Sequence, residues 1–453
     1  MSETRKTIMF GGVALVLVLL AWVTAPRPVT PDQFTDQGEA FYPEFTDPTT
    51  ATSLEVIDYD ADTGTPIPFK VVNENGRWSI PSHHGYPADG ADRLAETAAS
   101  LIGITRDDFR TNNVADHAAC GVIDPLDETA TDLDGRGKRV TIRGENDKVL
   151  ADYIFGKEVD GAEGFRFVRL PDQKAVYACR VDIDISTTFS DWIESDLLMV
   201  EKDDIRRITL RDYSINERTG TINNRDELVL TKDGDTWEAN RMRADQEIQQ
   251  REMTTLLTSV DELSIVGVRP KPAGLSTSLR KDQEGMEISQ QDYLDLQNKG
   301  YFFARDGSLV SNEGEVQVRT ASGIVYTLRF GEVAPGSGLA LTAGTGDADG
   351  DAADNRYLFI TAYFDEDAFS EPPAPANTDF LNTADSLWSD ADQRNKARYD
   401  AHEDWKVKVE QGRQKADELR NRFADWYYVI SADSFKKLRK TRSELVQEKK
   451  ADA

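Results

Sequence analysis

The strongest constraint on the fold of this chain is that its sequence runs through one order of elements twice. The first pass opens with a strand-like run, Leu54-Glu55-Val56-Ile57-Asp58-Tyr59. A hairpin pattern follows from Phe69 to Trp78, with Asn75-Gly76 as its tight turn. The second pass has Ile205-Arg206-Arg207-Ile208-Thr209-Leu210, then a hairpin from Leu228 to Trp237 that turns at Asp233-Gly234. In both, the Trp lies nine residues after the first apolar residue of the hairpin. A helical pattern comes next: Leu94, Ala98, Leu101 and Ile102 in one, Ile248, Met253, Leu256, Leu257 and Val260 in the other. Two strands ending on Phe-Gly follow, Val140–Arg143 with Tyr153–Glu158, and Val316–Arg319 with Thr327–Glu332. A further strand succeeds each pair, Phe165–Leu170 and Tyr357–Thr361.

The closing elements correspond at different distances. Val176–Val181, Phe189, Ile193 and Leu197 match Trp426–Ser431, Phe435, Leu438 and Leu445. A short turn at Pro171-Asp172 is thus replaced by an insertion over about residues 365–424, beyond ordinary loop lengths. Its first part is acidic and Pro-rich. From Leu387 it becomes helical, with Trp405, Val409, Ala416, Leu419, Phe423 and Trp426 at three-four spacing, interrupted by Gly412. Two fates fit that seam. It packs on its own unit, or Trp405, Val409, Leu419 and Phe423 form a partner-binding helix.

Residues 8–25, IMFGGVALVLVLLAWVTA, carry no charge. Eighteen helical residues reach about 27 Å, enough for the hydrocarbon core of a bilayer. Arg5 and Lys6 precede the run and Asp32, Asp36 and Glu39 follow it, so residues 1–7 are expected in the cytoplasm and the bulk of the chain outside. A cleaved signal peptide is the rival, but Pro26 would follow directly on the cut at Ala25. The expected division is therefore an anchor at 8–25, a linker at 26–53, one α+β unit at 54–204 and a second at 205–453.

A formal net charge of −28 excludes phosphate-backbone recognition, so no nucleic acid is expected. The chain has four histidines, His83, His84, His117 and His402, and no nucleotide-loop, zinc-protease or serine-hydrolase signature. No cofactor, metal or catalytic set is therefore assigned. Asp58, Asp60 and Asp62, and Asp347, Asp349, Asp351 and Asp354, lack the calcium-loop spacing, since its twelfth positions fall on Phe69 and Leu358. Solvated loops or an irregular calcium site both fit. His83-His84 reads as a surface loop. Cys120 and Cys179 either pair in an oxidising compartment or stay as buried thiols.

Gly76-Arg77-Trp78 through Tyr86-Pro87-Ala88-Asp89, Cys120-Gly121-Val122-Ile123-Asp124-Pro125 and Phe155-Gly156-Lys157 resemble the pattern of the domain of unknown function 4340 family. The likeness covers about 54–210 well and the second copy more loosely. In place of the family's Tyr-Gly-Leu this chain has Cys120-Gly121-Val122. The resemblance implies a membrane-anchored protein associated with ABC-type transport components of the gliding-motility auxiliary kind, and it carries no catalytic residues.

The expected fold is α+β: two tandem, mainly antiparallel sheets, each with a covering helix, and a helical insertion in the second. The expected function is a non-enzymatic, single-pass accessory subunit of an ABC-type transport complex, its bulk periplasmic. The alternative is an extracytoplasmic binding or hydrolytic domain acting on an envelope polymer or small ligand, marked by a cleft with converging carboxylates between the units.

Overall fold

The computed structural model describes residues 14–15, 36–182, 185–216, 219–281, 288–334 and 355–449. It is a mixed α+β structure with two large antiparallel sheets. The first sheet is built in chain order from β1 (Ser53–Asp60), β2 (Thr65–Glu74), β3 (Arg77–Ile80), β4 (Tyr86–Pro87), β5 (Asp108–Thr111), β6 (Lys138–Arg143), β7 (Val149–Glu158), β8 (Phe165–Arg169) and β9 (Val176–Arg180). Its spatial order is β4-β3-β2-β1-β6-β7-β8-β9-β5.

The second sheet uses β10 (Ile205–Asn216), β11 (Thr221–Asp233), β12 (Thr236–Ala239), β14 (Gly267–Pro270), β17 (Glu315–Thr320), β18 (Ile324–Val333), β19 (Arg356–Phe364) and β20 (Trp426–Ile430). The intervening β13 (Gln246–Ile248) pairs with β21 (Val446–Glu448), and β15 (Tyr301–Phe303) with β16 (Leu309–Ser311). Its order is β12-β11-β10-β17-β18-β19-β20-β14. Apart from β4, the two sheets thread their strands in the same sequence.

The local reasons repeat as well. Both hairpins close through two residues, Glu74 facing Arg77 and Asp233 facing Thr236, with Asn75, Gly76 and Gly234 at positive φ. Trp78 and Trp237 fall on the return strands, opposite Asn73 and Lys232. Helix α1 (Ala91–Leu101) follows the first hairpin, and a shorter α2 (His117–Cys120) comes after β5. Helix α3 (Gln250–Asp261) follows the second hairpin, and α4 (Ala273–Arg280) and α5 (Gln290–Gln297) come after β14. Leu94, Ala98 and Leu101 are the buried stripe of α1, and Met253, Leu256 and Val260 that of α3.

Phe155-Gly156 and Phe330-Gly331 sit just before a register shift, against β8 in one sheet and β19 in the other. Each glycine is pressed by a loop carbonyl, that of Cys120 on Gly156 and that of Lys299 on Gly331. A Cβ at either place would overlap that oxygen. The residues that follow these carbonyls, Gly121 and Gly300, both adopt positive φ.

Trp426–Ile430 pairs with the strand containing Tyr357, where the sequence argument puts it. The insertion folds into 3-10 turns at Glu366–Ala368, Asp379–Asn382 and Asp385–Leu387, then α6 (Asp390–Ala424), 35 residues long. Ser389 caps that helix in a reciprocal bond pair with Asp392. Val409, Gly412, Ala416, Leu419 and Phe423 are its buried face. Gly412, which interrupts the apolar seam in the sequence, lies directly against the Phe364 ring, where no side chain fits.

Among the described residues no helix is long and apolar enough to cross a membrane. Apart from Ala14 and Leu15, which are helical, the segment 8–25 lies outside the described residues. The second aspartate cluster, Asp347 to Asp354, lies outside them too.

Replacing Gly156 or Gly331 by Ala should destabilise the protein by about 2–3 kcal/mol each, because a main-chain carbonyl cannot move aside as a side-chain end can. Urea unfolding of the two variants measures this. A loss within about 0.5 kcal/mol at both sites would contradict the close-approach argument.

Candidate functional site

A cleft of about 230 Å³ opens where the C-terminal end of α6 meets α4, the loop between β15 and β16, and the strands β18 and β19. Arg329, on β18, forms part of its floor. Its Nε donates to Leu309 O at 2.8 Å and its Nη1 to Thr361 Oγ1 at 3.0 Å. The same guanidinium lies 3.3 Å from Oε2 of Glu315, which faces it across the sheet. Glu315 is buried and also receives Arg211 Nη1 at 2.6 Å and the Tyr213 hydroxyl at 3.1 Å. Arg211 also lies 3.9 Å from Glu227 Oε2, so the two guanidiniums face two carboxylates.

Beside the cleft, Lys271 is buried against the end of α6. Its Nζ donates to Phe423 O at 2.8 Å, its backbone N–H to Asp425 O at 2.7 Å, and its ammonium lies 4.0 Å from the Phe359 ring centre. Those carbonyls are in the last turn of the helix, where a cation is favoured. Burial lowers the lysine pKa to about 7. Lys271 therefore pins the root of the long helix to β14.

The residues singled out in the sequence are dispersed. Cys120 and Cys179 are both free thiols. Cys179 is in the main core, whereas Cys120 packs with Val122, Ile154 and Val176 in a separate cluster. Burial raises the Cys179 thiol to about 12, which makes it unreactive. His83 is not on the surface. It is buried, stacked 4.5 Å from Phe189, and desolvation lowers its pKa to about 4. His84, at φ 60°, is exposed as expected.

Asp60 closes the β1–β2 turn by accepting from the N–H groups of Asp62 and Thr63, and Asp58 pairs with Lys138 at 3.0 Å. Among the described residues no group of three or more His, Cys, Asp or Glu is placed to hold a metal.

The apolar seam of α6 is closed by the chain itself. Val409, Leu419 and Phe423 are buried, and Trp405 is half-buried, donating Nε1 to Phe369 O at 3.1 Å. These four side chains are not a free docking face. Their burial stabilises the insertion against its own unit.

Arg329, Glu315 and Lys271 were not found by sequence reasoning. One signal was available: Arg329 precedes Phe330-Gly331 at the position where Ile154 precedes Phe155-Gly156.

The described chain is thus a two-sheet α+β protein with a cationic cleft on its second sheet. Residues 78–278 match the family model described as Domain of unknown function (DUF4340). The match runs from β3 to α4. It starts later than the resemblance read from sequence and extends further into the second sheet. No curated protein and no solved structure matches the chain.

The Lys271 amine is charged in the unfolded chain up to about pH 10.4 but loses its proton in the fold near pH 7. The unfolded state binds more protons between those values, so this group makes stability rise from about pH 7 to about pH 10. Urea unfolding at pH 7 and pH 9.5 should show that rise, up to about 3 kcal/mol, diminished in Lys271→Met. Equal pH dependence in the two proteins would contradict it.

Proposed function

We propose that the protein is a non-catalytic subunit tethered outside the cytoplasmic membrane, an accessory of an ABC-type transport complex that acts through protein contacts. The apolar run 8–25, with Arg5 and Lys6 before it and acidic residues after, supports the single-span topology. Tethering raises the effective concentration of the outer domain for a membrane partner without any new contact. The resemblance to a family of membrane-anchored, transporter-associated proteins supports the choice of partner. The common strand order of the two sheets supports reading them as tandem copies of one unit.

The observation that carries the reading is the outer half of the insertion. At about 1.5 Å per residue, α6 is about 50 Å long. Its first half rests on its own preceding segment. Asn395 binds Ala376 N and Asn377 Oδ1, and Phe380 is buried beneath Trp388 and Tyr399. Leu381, Leu387 and Val407 remain exposed on this self-covered arm. An element with its own small core and apolar outer residues suits docking. It succeeds the buried seam as the contact surface in this proposal.

The hydrolytic alternative calls for carboxylates converging at the junction of the units. There Tyr86 packs edge-on to Trp426 at 5.0 Å, and the cleft beside Arg329 lies within the second unit.

Joining Ala368 to Val409 by a short linker removes the arm and leaves the buried face of α6. This variant should melt within a few degrees of the parent, since about 1 kcal/mol shifts the midpoint by only a few degrees in a protein of this size. It should no longer co-purify with the ABC-type transport component from solubilised membranes. A large loss of thermal stability would make the arm domain core, and undiminished co-purification would remove it as the docking element. Labelling of single cysteines beyond residue 36 in intact spheroplasts tests the topology; their protection by the cytoplasmic membrane would overturn it.

A further inference from the structure

The geometry points to the cleft beside Arg329 as a binding site for a compact carboxylate with an apolar body. Three observations converge. The first is charge. The chain as a whole carries −28, yet Arg329, Lys281 and Arg420 line this cleft, and among the described residues no acidic side chain does. A guanidinium with planar, pre-oriented N–H groups is the side chain best matched to a carboxylate. Arg329 is pre-oriented because Leu309 O and Thr361 Oγ1 fix its Nε and Nη1. No hydrogen bond from its Nη2 to a described residue is formed alongside these two.

The second observation is the contrast between the two sheets. The residue before the Phe-Gly pair in the first sheet is Ile154, fully buried with Val122 and Val176. At the same strand position the second sheet has an arginine beside an open cavity. Isoleucine fills this position in one sheet, and in the other the arginine both partners the buried Glu315 and brings a cation to the cleft.

The third is the shape of the walls. β20 pairs with β19 only at Arg356, Tyr357 and Leu358, so the outer edge of β19 beyond them has no strand beside it among the described residues. The segment from Ile360 to Ala362 therefore forms one wall, and Leu279 and Leu309 add apolar surface. A volume of about 230 Å³ is below the usual range for drug-sized ligands, which restricts the site to a small molecule or the terminus of a larger one. Anionic head at Arg329 and hydrocarbon against Leu279 and Leu309 is the arrangement these walls accept. This inference stands independently of the docking role proposed for the arm.

The test is isothermal titration of the full chain with hexanoate, hexanol, acetate and hexyl phosphate. Hexanoate should bind with a Kd of about 0.1–1 mM, the range expected for so few atoms, and at least about tenfold tighter than hexanol or acetate. Arg329→Met should weaken hexanoate at least about tenfold and leave hexanol unchanged. Because that substitution also strips Glu315 of a partner, Ser308→Trp, on the exposed loop at the cleft mouth, provides a second variant with the arginine intact. It should block hexanoate without lowering the melting temperature. No hexanoate binding by the parent protein, equal affinity for hexanoate and hexanol, tighter binding of hexyl phosphate, or full binding by Ser308→Trp would each overturn the assignment.

Discussion

The structure depends on an apolar core that does not stop at the boundary between the sheets. Buried residues from Phe41 to Leu445 form one contiguous cluster that takes in both. At its crossing point Tyr86 of β4 lies against Phe189 and Trp426, and Trp192 packs on Phe69. Large aromatic side chains such as these contribute about 2–3 kcal/mol each when removed from water. The connection between the sheets is clasped as well. Arg422 Nη2 donates to Asp196 O at 2.9 Å, and its Nη1 reaches Met199 Sδ at 3.5 Å. The root of the long helix is fixed by the same contact, since Arg422 is in its last turn. Lys271 and Gly412 hold it from the other sides.

Within that shared core, the sheets follow one plan and diverge where function has room. The plan is a hairpin, a helix, an edge strand, a tight loop pressed on a Phe-Gly glycine, and a return through the sheet. Steric crowding fixes the loop: the carbonyls of Cys120 and Lys299 occupy the space that a side chain at Gly156 or Gly331 would need. The outer turn between β8 and β9 is under no such constraint. Its counterpart between β19 and β20 has accepted the arm, as loop-closure cost grows slowly with length. The exchange of Ile154 for Arg329 is the other divergence, and it changes a closed apolar layer into a charged cleft.

Much of this plan was legible in the sequence because local chemistry dictates it. Asn75, Gly76 and Gly234 take positive φ in the hairpin turns, the strands alternate, and Trp426–Ile430 is too apolar for a loop. The edge strands Asp108–Thr111 and Gly267–Pro270 were missed because four residues carry too little periodicity. Tyr86-Pro87 pairs with β3, and α1 begins only at Ala91. Other features are decided by tertiary contacts. His83 looks like a loop residue until Phe189, a hundred residues on, stacks on it. The α6 seam is equally apolar whether it faces a partner or its own sheet. The separation of Cys120 from Cys179 depends on which cluster each side chain enters. Arg329 and Glu315 are directly opposite only once β17 and β18 are in register.

The central claim is that the two sheets form one cooperative structure through a shared core. Native-state amide hydrogen exchange in increasing denaturant tests it most directly, with β6 and β7 read against β17 and β18. A shared core predicts that the slowest amides of both sheets merge into one opening with the same free energy and the same denaturant dependence. If the strands of one sheet exchange through a separate opening while the other sheet remains protected, the sheets are independent domains and the account is wrong.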